Sequence, residues 1–107
     1  EIQKATIITE KESHFLTDHL KNTWSIKDEW YNFKDFNPDI NVLLSLDENS
    51  YEGGENGNYH PISWYHEFEG GRSFYTGLGH VGKTYNDPRF VKMINKAILY
   101  TSGLVTK

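Results

Sequence analysis

Apolar and polar positions along the chain fall into short stretches with strand periodicity and one longer stretch with helical periodicity. Residues 5–9 (Ala-Thr-Ile-Ile-Thr) are β-branched and read as a strand. Residues 23–33 place Trp24, Ile26, Trp30, Tyr31 and Phe33 among polar neighbours, a strand that turns irregular at Asp28-Glu29. Residues 42–46 (Val-Leu-Leu-Ser-Leu) form a nearly unbroken apolar run, as expected of a strand covered on both faces. Residues 62–68 alternate Ile62, Trp64, His66 and Phe68 against Ser63, Tyr65 and Glu67, and residues 72–76 alternate as well. Glu69-Gly70-Gly71 between them makes the pair a hairpin.

The helical stretch comes last. Phe90, Ile94, Ala97 and Ile98 recur at helical spacing, with Asn86 or Asp87 as cap, Pro88 in the first turn and Gly103 at the end. The intervening segments read as connections. Residues 13–20 are a loop or short helical turn, and Asn37-Pro38-Asp39 is a turn. Residues 47–59 are a polar, glycine-containing surface loop expected to move, and residues 77–85 are a glycine-rich loop. About five strands with a single firm helix are too few helices to cover both faces of an α/β sheet, which points to a partial fold or one completed by a partner chain.

Composition narrows the function classes. The 107 residues suit one small domain, and 24% charged with 36% hydrophobic residues is globular in character. A net charge of -4 without a Lys/Arg stripe argues against a nucleic-acid partner. The absence of cysteine removes disulfides, thiolate nucleophiles and Cys-based zinc sites. No apolar run approaches the ~20 residues that span a bilayer, so no membrane partner is expected. The chain begins at Glu1 and not at Met, as a processed or truncated product would. It would be periplasmic or secreted if a signal peptide precedes Glu1.

One motif misleads. Residues 77–84 (Gly-Leu-Gly-His-Val-Gly-Lys-Thr) satisfy the Walker A pattern G-x-x-x-x-G-K-[ST] and follow a strand. In a phosphate-binding loop the helix starts at the Gly-Lys-Thr, so that its first amides hold phosphate. Here Pro88 closely follows Thr84, and a proline inside such a helix costs ~3 kcal/mol. The helix therefore starts too late to cradle the loop. Nucleotide binding through residues 77–84 is the weakest of the functional readings.

Several stretches in order carry a family resemblance: Asp28-Glu29-Trp30-Tyr31, Val42-Leu43-Leu44, His60-Pro61-Ile62-Ser63-Trp64, Gly71-Arg72-Ser73-Phe74-Tyr75-Thr76, Leu78-Gly79-His80 and Asp87-Pro88-Arg89-Phe90. Taken together, the chain resembles the ThuA-like (trehalose-utilisation) family, and residues 1–107 resemble the carboxy-terminal part of its domain. The resemblance implies an α/β fold of the flavodoxin-like, class I glutamine amidotransferase-like kind, here a partial domain with a mixed sheet, a hairpin and a C-terminal helix. It also implies a role in sugar utilisation. Phe15 follows His14 where members of the family commonly carry proline, and the amino-terminal half of the family's domain has no counterpart in this sequence.

Five residues are the candidates for chemistry. His80 follows a strand directly, where open α/β sheets place ligands, and a histidine there suits acid–base work. Glu29 is its proposed acidic partner, a role that rests mostly on the resemblance. Asp28 and Glu29 point to opposite faces of a strand and cannot act as a simple carboxylate pair. Trp64, Tyr75 and His60 are the candidates for binding a sugar, although hairpin aromatics are more often packing partners of each other. Arg72 is expected to pair with Glu67 or Glu69 across the turn. His60, His66 and His80 with Glu52 or Glu55 lack a spacing that would gather them around zinc, so no metal and no cofactor is expected. The sequence thus favours an enzyme-type domain acting on a sugar or a sugar-derived carbonyl. The alternative is a non-catalytic binding or assembly module, associating with itself or with the missing amino-terminal half.

Overall fold

The computed structural model of the chain describes residues 2–10, 14–32, 39–56, 59–68, 70–79 and 82–103, with the side chains of Phe68 and Lys83 excepted. Its elements are β1 (Ile2–Thr9), β2 (Thr23–Glu29), β3 (Asn41–Leu46), β4 (His60–Phe68), β5 (Gly71–Thr76) and α1 (Pro88–Thr101). They build an α/β domain with one five-stranded sheet in the order β2-β1-β3-β4-β5. The sequence suggested a mixed sheet, but every pairing among these strands is antiparallel. The β4–β5 connection explains one of these pairings, since the two residues between those strands permit only an antiparallel pair.

Each strand follows its pattern. In β1, Ala5, Ile7 and Thr9 are buried and their neighbours are not, and β2 buries Trp24, Ile26 and Asp28 in the same way. The register sets Ala5 opposite Ile26 and Ile7 opposite Trp24, so these side chains share one face. Central strand β3 is buried from Val42 to Leu46. Burying a side chain such as Ile7 or Leu44 stabilises the fold by roughly 1.5–3 kcal/mol. Strand β4 carries Pro61 in its interior, where a missing N–H breaks the ladder. The β3–β4 register shifts on either side of Leu44, next to the Ser45–Pro61 pairing, and this irregularity accommodates the proline.

Helix α1 lies on the face shared by Ile7 and Trp24. It buries Phe90, Met93, Ala97 and Tyr100, an i, i+3, i+7, i+10 stripe. Asp87 caps it, accepting from the Arg89 amide at 2.8 Å, and Pro88 occupies the first turn. The start of α1 is anchored over β2, where Arg89 donates to the Ser25 carbonyl and stacks on Trp24. Its end lies over β5, where Arg72 donates to the Tyr100 carbonyl at 2.8 Å and covers the Tyr100 ring. Arg72 thus serves the negative end of the helix. The 14–20 segment packs on the same side, with His14 against Tyr65 and Tyr100.

Candidate functional site

The antiparallel order decides which chain ends meet. β2, β3 and β5 run in one direction and β1 and β4 in the other. The carboxyl ends of β2, β3 and β5 therefore share one edge with the first residues of β1 and β4. Two networks are built there.

The first is centred on Asp28, whose side chain is fully buried. Its Oδ2 accepts from the Gly79 amide at 2.8 Å and the Thr84 hydroxyl at 3.0 Å, and its Oδ1 accepts from the Glu29 amide at 2.8 Å. The segment after β5 is thereby carried back beneath the sheet to β2. Gly79 fits this path for two reasons. Its φ is +97°, and a Cβ there would lie 2.9 Å from the Tyr85 hydroxyl and 3.2 Å from Phe90. Residues Gly82–Asn86 form a 3-10 turn, and the α-helix begins only at Pro88. With Thr84 buried and its hydroxyl given to Asp28, the geometry differs from that of a phosphate loop.

The second network is centred on His60, also fully buried. Its Nε2 lies 2.9 Å from the Tyr31 carbonyl, which can only accept, so this nitrogen donates. Its Nδ1 lies 2.7 Å from Glu48 Oε2 and 2.9 Å from the Tyr51 hydroxyl. The same Glu48 oxygen accepts from the Asn56 amide at 2.8 Å. Burial, and then the charge of Glu48, push the Tyr51 hydroxyl up to about 12. Trp30 joins this group, its indole donating to the Gln3 carbonyl at 2.8 Å and its ring 6.3 Å from that of Tyr51.

The loop expected to move is held by side-chain amides. Gln3 exchanges two bonds with the Glu52 backbone, and Asn32 donates to the Gly53 carbonyl and accepts from the Glu55 amide. A 3-10 turn at Glu48–Ser50, capped by Asp47, starts the loop. Gly54 allows it to fold over Glu48, since a Cβ there would meet the Glu48 carboxyl carbon at 2.5 Å.

The sequence-derived candidates are distributed as follows. His80 lies outside the described residues, directly after Gly79 in the chain. Glu29 ends β2 at this edge, half-buried, with its carboxylate 3.5 Å from the Tyr31 hydroxyl. His60 belongs to the edge but engages both ring nitrogens within the protein. Trp64 and Tyr75 are elsewhere. They are cross-strand partners stacked at 4.6 Å and 24°. Neighbouring Tyr65 packs on Tyr100 of α1, so Trp64 and Tyr75 face the other side of the sheet. The structure thus separates this pair from His60. Among the described residues no three His, Asp or Glu side chains gather as a metal set, and no helix is long and apolar enough to cross a membrane.

Asp28, Glu48, Tyr51 and Trp30 are the members of this edge that the sequence reading did not select. Glu48 had a usable signal, since it stands just beyond the carboxyl end of a buried strand.

A family model described as "ThuA: Trehalose utilisation" matches residues 1–101. Two crystal structures of ThuA-like proteins share the fold. The one from Bacteroides uniformis is 23% identical with a TM-score of 0.75, covering 94% of this chain and 44% of its own. The one from Parabacteroides merdae is 22% identical with a TM-score of 0.69, covering 100% of this chain and 41% of its own. The chain therefore spans less than half the length of either. No curated protein matches it.

Proposed function

Because the chain belongs to the ThuA (trehalose utilisation) family, we propose that it contributes an acid–base site for a sugar or a sugar-derived carbonyl, set at the shared carboxyl edge of β2, β3 and β5. His80 serves as acid/base or polar anchor and Glu29 as its acidic partner. The observation that carries this reading is Asp28. It ties the Gly79 amide, one residue before His80, to the strand end that bears Glu29. General acid–base chemistry requires such groups to be held within hydrogen-bond reach of a substrate, and a buried tether of this kind supplies the rigidity. His60 acts behind the site by holding Tyr51, Glu48 and the Tyr31 backbone, so its contribution to binding is indirect. The ligand is a small sugar, and the chemistry asks for no cofactor.

The test is His80→Ala in the full chain, assayed on a panel of oxidised and unoxidised disaccharides. Loss of turnover is expected, and unchanged turnover would overturn the assignment.

A second reading, an assembly module, is favoured by one observation. Helix α1 exposes Val91, Ile98 and Leu99, with Ile98 61% exposed. Here the partner is another copy of the chain or the remainder of a longer ThuA domain. Light scattering showing a monomer at all concentrations would remove self-association.

A further inference from the structure

We infer that the sugar is gripped at this edge by Trp30, Tyr31 and Tyr51 together with the carboxylate of Glu29, and not by the Trp64–Tyr75 pair. This rests on the proposed function for the class of ligand, and adds where and by which groups it is held.

A pyranose offers an apolar face of C–H groups and a rim of vicinal hydroxyls. A site for it needs flat rings held at fixed angles and acceptors beside them. The edge supplies both. The polar handles of two rings are engaged inside the protein, the Trp30 indole by the Gln3 carbonyl and the Tyr51 hydroxyl by His60, while the exposed Tyr31 hydroxyl lies 3.5 Å from Glu29. Trp30 and Tyr51 are therefore oriented before any ligand arrives, which lowers the entropy cost of binding. Trp30 and Tyr51 are inclined at 49° to each other. Tyr31, next to Trp30 in the chain, is 48% exposed.

The acceptor follows from the same chain segment. Glu29, half-buried at the end of β2, directly precedes Trp30, whereas Glu48 lies beneath Gly54 and serves His60 and the Asn56 amide. Carboxylates accept from two sugar hydroxyls at once, whereas they repel phosphates and carboxylates. This makes a neutral polyol the fitting ligand. The Trp64–Tyr75 pair is a poorer candidate, since each ring uses one face on the other and their neighbours on that side are His66 and Ser73.

The experiment is calorimetric titration of the full chain with α,α-trehalose and with its keto-oxidised form. The variants are Tyr31→Ala, Glu29→Gln and Tyr75→Ala. Tyr31 is exposed enough to be removed without loss of the fold, which circular dichroism checks. About tenfold weaker binding is expected for Tyr31→Ala, the loss of one well-placed ring contact. Glu29→Gln should weaken binding as well. Wild-type affinity in both variants overturns the inference. So does weakening at Tyr75 but not at Tyr31, and so does a wild-type chain that binds neither sugar. Binding is read without turnover, so the two readings fail separately. Tyr31-dependent binding in a chain whose turnover survives His80→Ala sinks only the acid–base assignment. Turnover lost in His80→Ala with Tyr31 irrelevant to binding sinks only this one.

Discussion

Replacing Asp28 by Asn tests the central tether directly. The side chain keeps its shape but exchanges one acceptor oxygen for an NH2 donor. In one orientation the new donor faces the Glu29 amide, and in the other it faces the Gly79 amide and the Thr84 hydroxyl. The hydroxyl can rotate to accept, but an amide N–H cannot, so either orientation leaves one N–H orphaned. An orphaned buried donor costs about 1–3 kcal/mol, and the lost bond adds about 1 kcal/mol. The expected destabilisation is therefore about 2–4 kcal/mol, read as a lower urea midpoint at unchanged slope. The total stability of a domain this size is about 5–15 kcal/mol, so the variant should still fold. Thr84→Val is the companion, removing one donor for about 1 kcal/mol. Because both substitutions act on one carboxyl oxygen, the double variant should fall short of the sum. A loss below about 0.5 kcal/mol for Asp28→Asn, or strict additivity with Thr84→Val, would refute the tether.

Other outcomes follow from the same contacts. Gly54→Ala should push Glu48 off His60 and Asn56 and destabilise the chain by about 1–3 kcal/mol, with a shift of the His60 ring resonances as the specific sign. Asp87→Ala should cost about 1 kcal/mol through the lost cap of α1. Arg89, the other half of that ion pair, is 39% exposed and adds little. Burial, with the charges of Lys96 and Lys92, holds His19 below its ordinary 6.5. The unfolded chain then binds the proton more readily than the folded one, so stability should fall as pH drops from 6.5 through the lowered folded value. His19→Gln should flatten urea-midpoint profiles in that window, and an unchanged slope there would count against the half-buried neutral imidazole. The Arg89 hydrogen bond lowers Asp87 in its turn, so its contribution is present above 3.8 and lost only as pH falls further.

The fold was legible where the information is local. The 42–46 run, the 62–68 and 72–76 alternation and the capped helix all sit close to where the sequence puts them, because burial follows side-chain period. Strand β1 is longer than its apolar stretch because Ile2, Gln3 and Lys4 pair with Glu29, Asp28 and Lys27 of β2 whatever their polarity. The strand directions were not legible. Nothing in residues 10–22 or 47–59 states that β1 stands between β2 and β3, and the mixed sheet expected from the family resemblance gives way to an antiparallel one within these strands.

The site was harder to read for a physical reason. Its bonds join residues far apart in the chain: Gly79 to Asp28 across 51 positions, Thr84 to Asp28 across 56, His60 to Tyr31 across 29. No local period encodes such pairs. The Asp28-Glu29 dipeptide shows what a local rule can still deliver. Alternation says that the two acids face opposite ways, and they do: one is sealed beneath the sheet and the other stands half-buried at the edge. What alternation cannot say is which acid is sealed. That follows from the partner face, because Asp28 shares the side of Trp24 and Ile26 on which α1 packs. Glu29 is left toward the edge with Tyr31, and the division of labour between the two acids is set by the helix that covers one face of β2.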